Sequence, residues 1–137
     1  MTPEKSYAAT PLATKLGIKQ GATVALVGAP SGFRRAIEPL PPGVRLTTKP
    51  VGRLDVILLF AESHADLARV PSLAKLLAPN GGLWVCYVKK SAGIPTDVTF
   101  ETAQHAGLDA GLVDNKSCSI DETWTALRFV YRLRDRR

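Results

Sequence analysis

Residues 55–60 read Asp-Val-Ile-Leu-Leu-Phe, and the apolar run that begins at Val56 continues to Ala61. A short apolar run of this length, with polar residues on either side, predicts a β-strand. Successive side chains of a strand point to opposite faces of the sheet, so apolar residues at every position predict burial on both faces. A sheet that is covered by helices on both faces is typical of a mostly parallel α/β arrangement.

The segments on either side of this strand alternate between strand patterns and helix patterns. Strands are predicted over residues 23–27, 44–47, 83–88, 112–120 and 124–133, and helices over residues 11–16, 33–38, 64–77 and 98–106. The short connection between the last two strands predicts that they pair antiparallel. The fold class expected is therefore α/β, a three-layer Rossmann-like sandwich whose mostly parallel sheet has an antiparallel C-terminal strand.

Cap and turn residues set the expected boundaries of these elements. A short polar side chain before an apolar periodic run is typical of a helix start, and glycine or proline of a helix end. Helix starts are predicted at Thr10, at Ser63 and at Asp97 or Thr99, ends at Gly17, Gly107 and the Pro-Asn-Gly-Gly turn of residues 79–82, and a break at Pro71.

The composition is that of an ordinary globular protein. The chain has 137 residues, of which 45% are hydrophobic and 22% charged, and we expect one domain over residues 1–137 with a loose N-terminal arm over residues 1–9. No apolar run approaches the roughly 20 residues that a membrane span needs, and residues 1–5 lack the layout of a signal peptide. With only two cysteines, a cytoplasmic location is expected and no membrane association.

The positive charge is concentrated at one end of the chain. Residues 128–137 contain five arginines and one aspartate, a formal charge of +4, so residues 1–127 carry only +2 of the total of +6. We interpret the basic tail, residues 132–137, as a solvated terminus. Contact with the phosphates of a nucleic acid is the less favoured interpretation.

Two segments resemble a known class of enzymes. Residues 23–32, which run from a strand into a glycine-containing turn, and residues 77–85 (Leu-Ala-Pro-Asn-Gly-Gly-Leu-Trp-Val) are similar to class I S-adenosylmethionine-dependent methyltransferases. The hairpin over residues 111–131 also looks like the last two strands of those enzymes. The resemblance implies a trimmed class I methyltransferase-like topology, with S-adenosylmethionine as the cofactor that it would suggest.

Nearly the whole chain also resembles a family of small bacterial proteins that is catalogued only as a domain of unknown function. The stretches that carry this resemblance lie at residues 6–7, 10–13, 89–93, 96–97 and 121–124. They imply a fold and a place for a site, but no activity.

Three positions depart from the methyltransferase pattern. The glycines of the pattern are present at Gly28 and Gly32, but the middle one is Pro30, which has no N–H and a fixed φ. The second strand, residues 44–49, carries no acidic residue that could bind ribose hydroxyls. The following segment, residues 48–54, is too short for the helix–strand–helix unit that methyltransferases have there. The sequence therefore leaves the cofactor unspecified.

The candidate site follows from the topology, because ligands of open α/β sheets bind beyond the carboxyl ends of the parallel strands. The residues that we expect at this rim as cofactor ligands are Gly28, Ser31 and Gly32. Those that we expect to line the rest of the rim are Glu62, His64, Lys89, Lys90, Ser91, Asp97, Asp121, Glu122 and Trp124.

These residues allow several roles. The two lysines suit a phosphate or carboxylate. Asp121 and Glu122 are either an acid–base pair or partners of the lysines, with pairing favoured. Trp124 either stacks a flat ligand or covers the sheet end. Neither histidine, His64 or His105, has neighbours at metal-ligand spacing, so no metal is predicted.

The sequence favours a non-catalytic or regulatory Rossmann-like module that binds a small anionic or nucleotide-like ligand, or a protein partner, at the rim. The first alternative is an S-adenosylmethionine-dependent methyltransferase with a degenerate cofactor motif. The second alternative is a nucleic-acid-associated protein that uses its Arg-rich C-terminus. The sequence leaves open whether the chain is an enzyme and what its oligomeric state is.

Overall fold

A six-stranded β-sheet forms the centre of the structure, a computed structural model that describes residues 10–136. Its strands are β1 (Thr23–Val27), β2 (Arg45–Thr47), β3 (Leu54–Phe60), β4 (Leu77–Val88), β5 (Leu112–Ser119) and β6 (Trp124–Tyr131). They lie in the order β2-β1-β3-β4-β6-β5, in which the first four are parallel and β6 runs antiparallel to both neighbours. The predicted mostly parallel sheet with an antiparallel C-terminal strand is confirmed.

Short helices cover the two faces of this sheet. They are α1 (Leu12–Lys15), α2 (Phe33–Ala36), α3 (His64–Leu67), α4 (Val70–Ala74) and α5 (Phe100–Asp109), with 3-10 turns at Lys90–Ala92 and Leu133–Asp135. No helix in residues 10–136 is long and apolar enough to cross a membrane. The predicted N-terminal arm, residues 1–9, lies outside the described residues, as does Arg137.

Strand β3 separates two hydrophobic cores. Val56, Leu58 and Phe60 belong to the core under α1 and α2, while Ile57 and Leu59 belong to the core under α4 and α5. All five side chains are buried. The predicted burial of this strand on both faces is therefore confirmed, and it accounts for the three layers.

Several helices begin or end where the cap and turn residues of the sequence predict. Gly17 has a φ of 75°, and the N–H of Ile18 reaches back to the carbonyl of Ala13 at 3.0 Å, as in a left-handed helix end. The hydroxyl of Ser63 accepts a hydrogen bond from the N–H of Asp66 at 3.3 Å, which caps α3. Pro71 lies in the first turn of α4, so the predicted break is a separation into two helices.

The caps at the first and last helices settle two further predictions. No side chain caps α1, which is a single turn preceded by Pro11, so the cap predicted at Thr10 is wrong. At α5 the cap is Thr99 rather than Asp97, because the Thr99 hydroxyl accepts the N–H of Thr102 at 3.2 Å. The Thr102 hydroxyl in turn accepts the N–H of Thr99 at 2.8 Å. This reciprocal pair is a capping box.

The Pro-Asn-Gly-Gly segment at residues 79–82 is not a turn but part of β4, so that prediction is wrong. Leu54 pairs with Leu77 and Val56 with Gly82, which leaves the intervening residues of β4 as a bulge. A β-carbon at Gly81 would lie 2.7 Å from the carbonyl oxygen of Asp55. Glycine is required here by the close approach of two strands, and not by a change of chain direction.

Gly107 lies inside α5 and does not end the helix as predicted. A β-carbon at this position would collide with the ring of Phe129, which lies on β6 beneath the helix. The absence of a side chain therefore allows α5 to pack closely against the sheet. The left-handed residue that follows the helix is Gly111, with a φ of 88°.

Replacing Gly107 with alanine is expected to destabilise the protein by about 1 to 2 kcal/mol. Overpacking costs roughly 1–3 kcal/mol, and the overlap with three ring atoms of Phe129 puts this change in the upper half of that range, whereas alanine gains about 1 kcal/mol over glycine as a helix former. Urea unfolding measures the difference. His105→Ala, an exposed change in the same helix, is the control and should stay within about 0.5 kcal/mol of the wild type. A Gly107→Ala variant as stable as the wild type would contradict the packing argument.

Candidate functional site

The loops that follow the parallel strands meet at one rim of the sheet. The N–H of Asp97, after β4, donates to the carbonyl of Glu62, after β3, at 3.3 Å. The N–H of Lys89 donates to the carbonyl of Thr123, just before β6, at 2.7 Å. The predicted rim segments are thus joined by backbone hydrogen bonds.

A groove of about 740 Å³ lies at this rim, between the end of β4 and the start of α5. Its walls include apolar side chains, of which Ile94 is 46% exposed and Phe100 41% exposed. The polar residues Lys89, Lys90 and Ser91 lie on the same lining. Small-molecule sites are concave, mostly apolar and of about this volume, with a few polar groups that orient the ligand.

The two lysines have different surroundings. Lys89 donates from Nζ to the hydroxyl of Ser119 on β5 at 2.6 Å, while Lys90 is exposed. The predicted ion pairing of these lysines with Asp121 or Glu122 is wrong. Within residues 10–136 the one ion pair joins Arg134 to Asp135, at 4.0 Å.

Asp121 organises the turn between β5 and β6. One oxygen of its carboxylate, Oδ1, accepts the N–H of Thr123 at 2.8 Å and that of Trp124 at 2.7 Å. This is the local pattern by which aspartate stabilises a turn. Glu122 is exposed, and neither acid lines the groove. The carboxylate of Asp121 therefore has a structural role that accounts for its position.

Aromatic rings fill the sheet end next to this turn. The ring of Trp124 lies edge-on to that of Phe60, with centroids 5.0 Å apart, and Phe60 lies edge-on to Phe33 at 4.8 Å. Such pairs contribute about 0.5–1.5 kcal/mol beyond their burial. The cover over the sheet end, one of the two roles considered for Trp124, is the role that these contacts support.

The glycine turn after β1 keeps part of the cofactor-binding pattern. Gly28 and Gly32 have φ angles of 72° and 87°, and a β-carbon at Gly28 would lie 3.2 Å from the carbonyl oxygen of Phe60. Pro30 supplies no N–H, and its carbonyl accepts the N–H of Phe33 at 3.1 Å. Ser31 is exposed and does not cap α2, which is a single turn.

The end of β2 differs more from the methyltransferase pattern. Strand β2 ends at Thr47, which pairs with Ala25 of β1. Lys49, two residues further along the chain, is exposed, and its N–H donates to the hydroxyl of Thr47 at 3.0 Å. Residues 44–49 contain no acidic side chain, whereas the resemblance implies a carboxylate for ribose hydroxyls at the end of this strand. Pro30 and the missing carboxylate are therefore the two departures of this chain from the cofactor-binding pattern that the resemblance implies.

The remaining candidates lie apart from the groove beyond β4. His64 is exposed in the first turn of α3 and, with His105, lines a separate cleft of about 410 Å³ between α3 and α5.

No group of three or more metal-ligating side chains occurs in the described part of the chain. Cys86 and Cys118 are buried free thiols, and burial raises the pKa of each.

The basic tail folds back on the sheet over its described part. The Nε of Arg136 donates to the carbonyl of Tyr131 at 2.9 Å, and residues 133–135 form a 3-10 turn. Arg132 and Arg134 are exposed. Contact of this tail with nucleic acid stays a prediction.

Comparisons with known proteins define the fold. An S-adenosylmethionine-dependent methyltransferase from Aquifex aeolicus superposes with a TM-score of 0.65 at 14% identity, covering 93% of both chains. A fibrillarin pre-rRNA processing protein from Methanococcus jannaschii gives 0.63 at 14%, covering 95% of this chain and 76% of that one. An O-methyltransferase of neocarzinostatin biosynthesis, solved with S-adenosylmethionine, gives 0.63 at 13% and covers 94% and 55%.

The chain therefore has a class I methyltransferase-like fold, of trimmed topology. No family model matches the chain, and no curated protein does. At these identities the likeness shows the fold alone, because one fold carries many functions.

Several residues of the groove escaped the sequence prediction, among them Tyr87, Ile94, Phe100 and Thr125. Tyr87 and Thr125 are register partners on β4 and β6, which no local pattern reveals. Ile94 and Phe100 carry a usable signal, since they are large apolar residues in a stretch that is otherwise polar or small.

Removing the Asp121 carboxylate should loosen the β5–β6 turn. Asp121→Ala leaves two backbone N–H groups without their acceptor and is expected to cost about 1–2 kcal/mol, measured by urea unfolding. Glu122→Ala removes an equal charge at the next residue but no hydrogen-bond acceptor of the turn. It should leave the free energy of unfolding nearly unchanged. Equal stability of the two variants would show that the hydrogen bonds of Asp121 contribute little.

Proposed function

We propose that the chain is a non-catalytic or regulatory ligand-binding module of the methyltransferase fold. Its ligand is a small molecule with an apolar part and an anionic group, held in the groove between the end of β4 and the start of α5. The observation that carries this proposal is the groove itself, whose exposed apolar walls lie beside Lys90 at the rim where such folds bind ligands.

The polar groups of the groove favour one orientation of the ligand. The hydroxyl of Thr96 donates to the carbonyl of Glu62 and accepts the N–H of Val98, so it is already engaged. Lys90 and Ser91 are exposed on the lining of the groove. Glu101 also lines it and lies near Tyr87, whose pKa is raised by burial and then by that carboxylate. An anionic group is therefore expected at Lys90, away from Glu101.

The positions of two predicted rim residues, Asp121 and His64, favour binding over catalysis in the groove. The carboxylate of Asp121 accepts two backbone N–H groups of its own turn, and His64 lines a different cleft. A general base must reach the proton that it removes, either directly or through one water. Neither of these predicted candidates lines the groove.

Thermal unfolding with phenyl phosphate tests the proposal, because this probe combines an apolar ring with an anion. A ligand at 100 times its Kd adds about 2.7 kcal/mol, which raises Tm by several degrees. Lys90→Gln is expected to weaken binding about tenfold. Lys75→Gln, an exposed lysine at the other end of the sheet, is the matched control and should bind like the wild type.

Phenol and inorganic phosphate serve as half-ligands in the same assay. Each is expected to bind more weakly than phenyl phosphate, because each fills only part of the groove. The proposal fails if phenyl phosphate gives no shift at millimolar concentration. It also fails if Lys90→Gln and Lys75→Gln respond alike.

A second candidate function is methyl transfer. The solved structures favour it over a non-catalytic role, since similar folds are described as S-adenosylmethionine-dependent methyltransferases and as an O-methyltransferase. The left-handed glycines Gly28 and Gly32 also agree with it. In that case the groove beyond β4 is a candidate place for the methyl acceptor.

Calorimetry with S-adenosylmethionine separates the two functions. Pro30 and the missing carboxylate at the end of β2 lead us to expect no saturable binding at millimolar concentration. Saturable binding that weakens in a Gly28→Val variant would support methyl transfer instead. Ser31→Ala is the control for that variant, because it changes the same turn at an exposed residue without the strain of a side chain at positive φ.

A further inference from the structure

Arg128 occupies an unusual position near the amino ends of the parallel strands, at the opposite end of the sheet from the rim groove. It pairs with Trp84 in the β4–β6 register, and its side chain lies across β4 toward Gly82. A β-carbon at Gly82 would collide with Nε of Arg128. The glycine therefore provides the space in which the guanidinium lies against the backbone of β4.

Two strand irregularities flank this arginine. On one side β4 is bulged between Leu77 and Gly82. On the other side β5 is bulged at Asn115, because Asp114 pairs with Phe129 and Lys116 with Arg128 itself. The side-chain oxygen of Asn115 lies 3.5 Å from Nη1 of Arg128. Bulges are over-represented next to sites, where they redirect a side chain.

The guanidinium lines a cavity of about 460 Å³ that also includes Lys19, Asn80 and Asp55. The carboxylate of Asp55 is engaged, since Oδ2 accepts the N–H of Thr23 at 2.8 Å. Within residues 10–136 no carboxylate forms an ion pair with Arg128. Two cations thus share a cavity with one carboxylate that is already hydrogen-bonded.

Arg128 is partly buried, which distinguishes it from the solvated basic residues of the surface. Burial lowers its pKa, and the nearby positive charge of Arg136 lowers it further. Both effects disfavour the charged form of the guanidinium, so a bound anion would stabilise it. A guanidinium offers a planar pair of donors that matches two oxygens of one phosphate.

We propose that this cavity binds a phosphate-bearing small molecule, with Arg128 as the two-pronged ligand of the phosphate and Lys19 as a second cation. The site is separate from the groove beyond β4, and it stands whether or not that groove binds a ligand. Gly82 contributes to this site indirectly, because the absence of a side chain there leaves room for the guanidinium of Arg128.

Titration calorimetry with inorganic pyrophosphate tests this site on the full chain. The wild type is expected to bind it, and Arg128→Gln is expected to lose binding. Arg128→Lys keeps the charge and the aliphatic stem but not the planar pair of donors, and it should weaken binding at least tenfold. Arg69→Gln, at an exposed residue that does not line this cavity, is the control for net charge and should bind like the wild type. Lys90→Gln reports any binding of pyrophosphate in the groove beyond β4 instead.

Far-ultraviolet circular dichroism establishes that each variant is folded before titration. If Arg128→Gln does not fold, the comparison of Arg128→Lys with the wild type decides. The proposal is overturned if the wild type does not bind pyrophosphate at millimolar concentration, or if Arg128→Lys binds as well as the wild type. It is also overturned if Lys90→Gln, and not the Arg128 variants, loses binding.

Discussion

The burial of β3 on both faces is the constraint from which the rest of the structure follows. Leu54, Ile57 and Leu58 have no measurable exposure. Full burial of such a side chain contributes about 1.5–3 kcal/mol, so exposure of either face would cost several times the effect of an ordinary substitution. A strand of this kind must lie inside a sheet and under two layers of helices, which is where the chain places it.

The central strand also positions the candidate site. Since β1, β3 and β4 are parallel neighbours, their loops emerge at one rim, where backbone hydrogen bonds join the loops after β3 and β4. Phe60 at the end of β3 packs against Phe33 and Trp124, which fills the sheet end. The open space lies further along the rim, beyond β4. A methyltransferase-like fold thus presents a groove, and the side chains that line this groove determine which ligands it can bind.

Sequence patterns were sufficient where the decisive interactions are local or where burial is uniform. The run at residues 55–60, the cap at Ser63 and the left-handed Gly17 all behave as their residue types predict. Together with the strand–helix alternation, they predict the fold class and the rim. The register pairs and the close approaches of strands depend on residues far apart in the chain, and no local pattern encodes them.

Most of the wrong predictions involve such distant partners or competing local ones. Gly107 is explained by Phe129 on another element, and Gly81 by Asp55 on the neighbouring strand. The predicted pairing of Asp121 with a lysine fails because two backbone N–H groups lie closer to its carboxylate. The groove beyond β4 was located only in part, since its lysines stand out in the sequence and its tyrosine and threonine do not.

We expect ligands at this rim to bind in the groove beyond β4 and not at the glycine turn after β1. Backbone amide NMR titrations with phenyl phosphate and with S-adenosylmethionine test this expectation most directly, because they locate each probe. Saturable shifts are expected at residues 90–101 with phenyl phosphate, and none at residues 28–32 with S-adenosylmethionine. Saturable shifts of Gly28 and Gly32 with S-adenosylmethionine would contradict it.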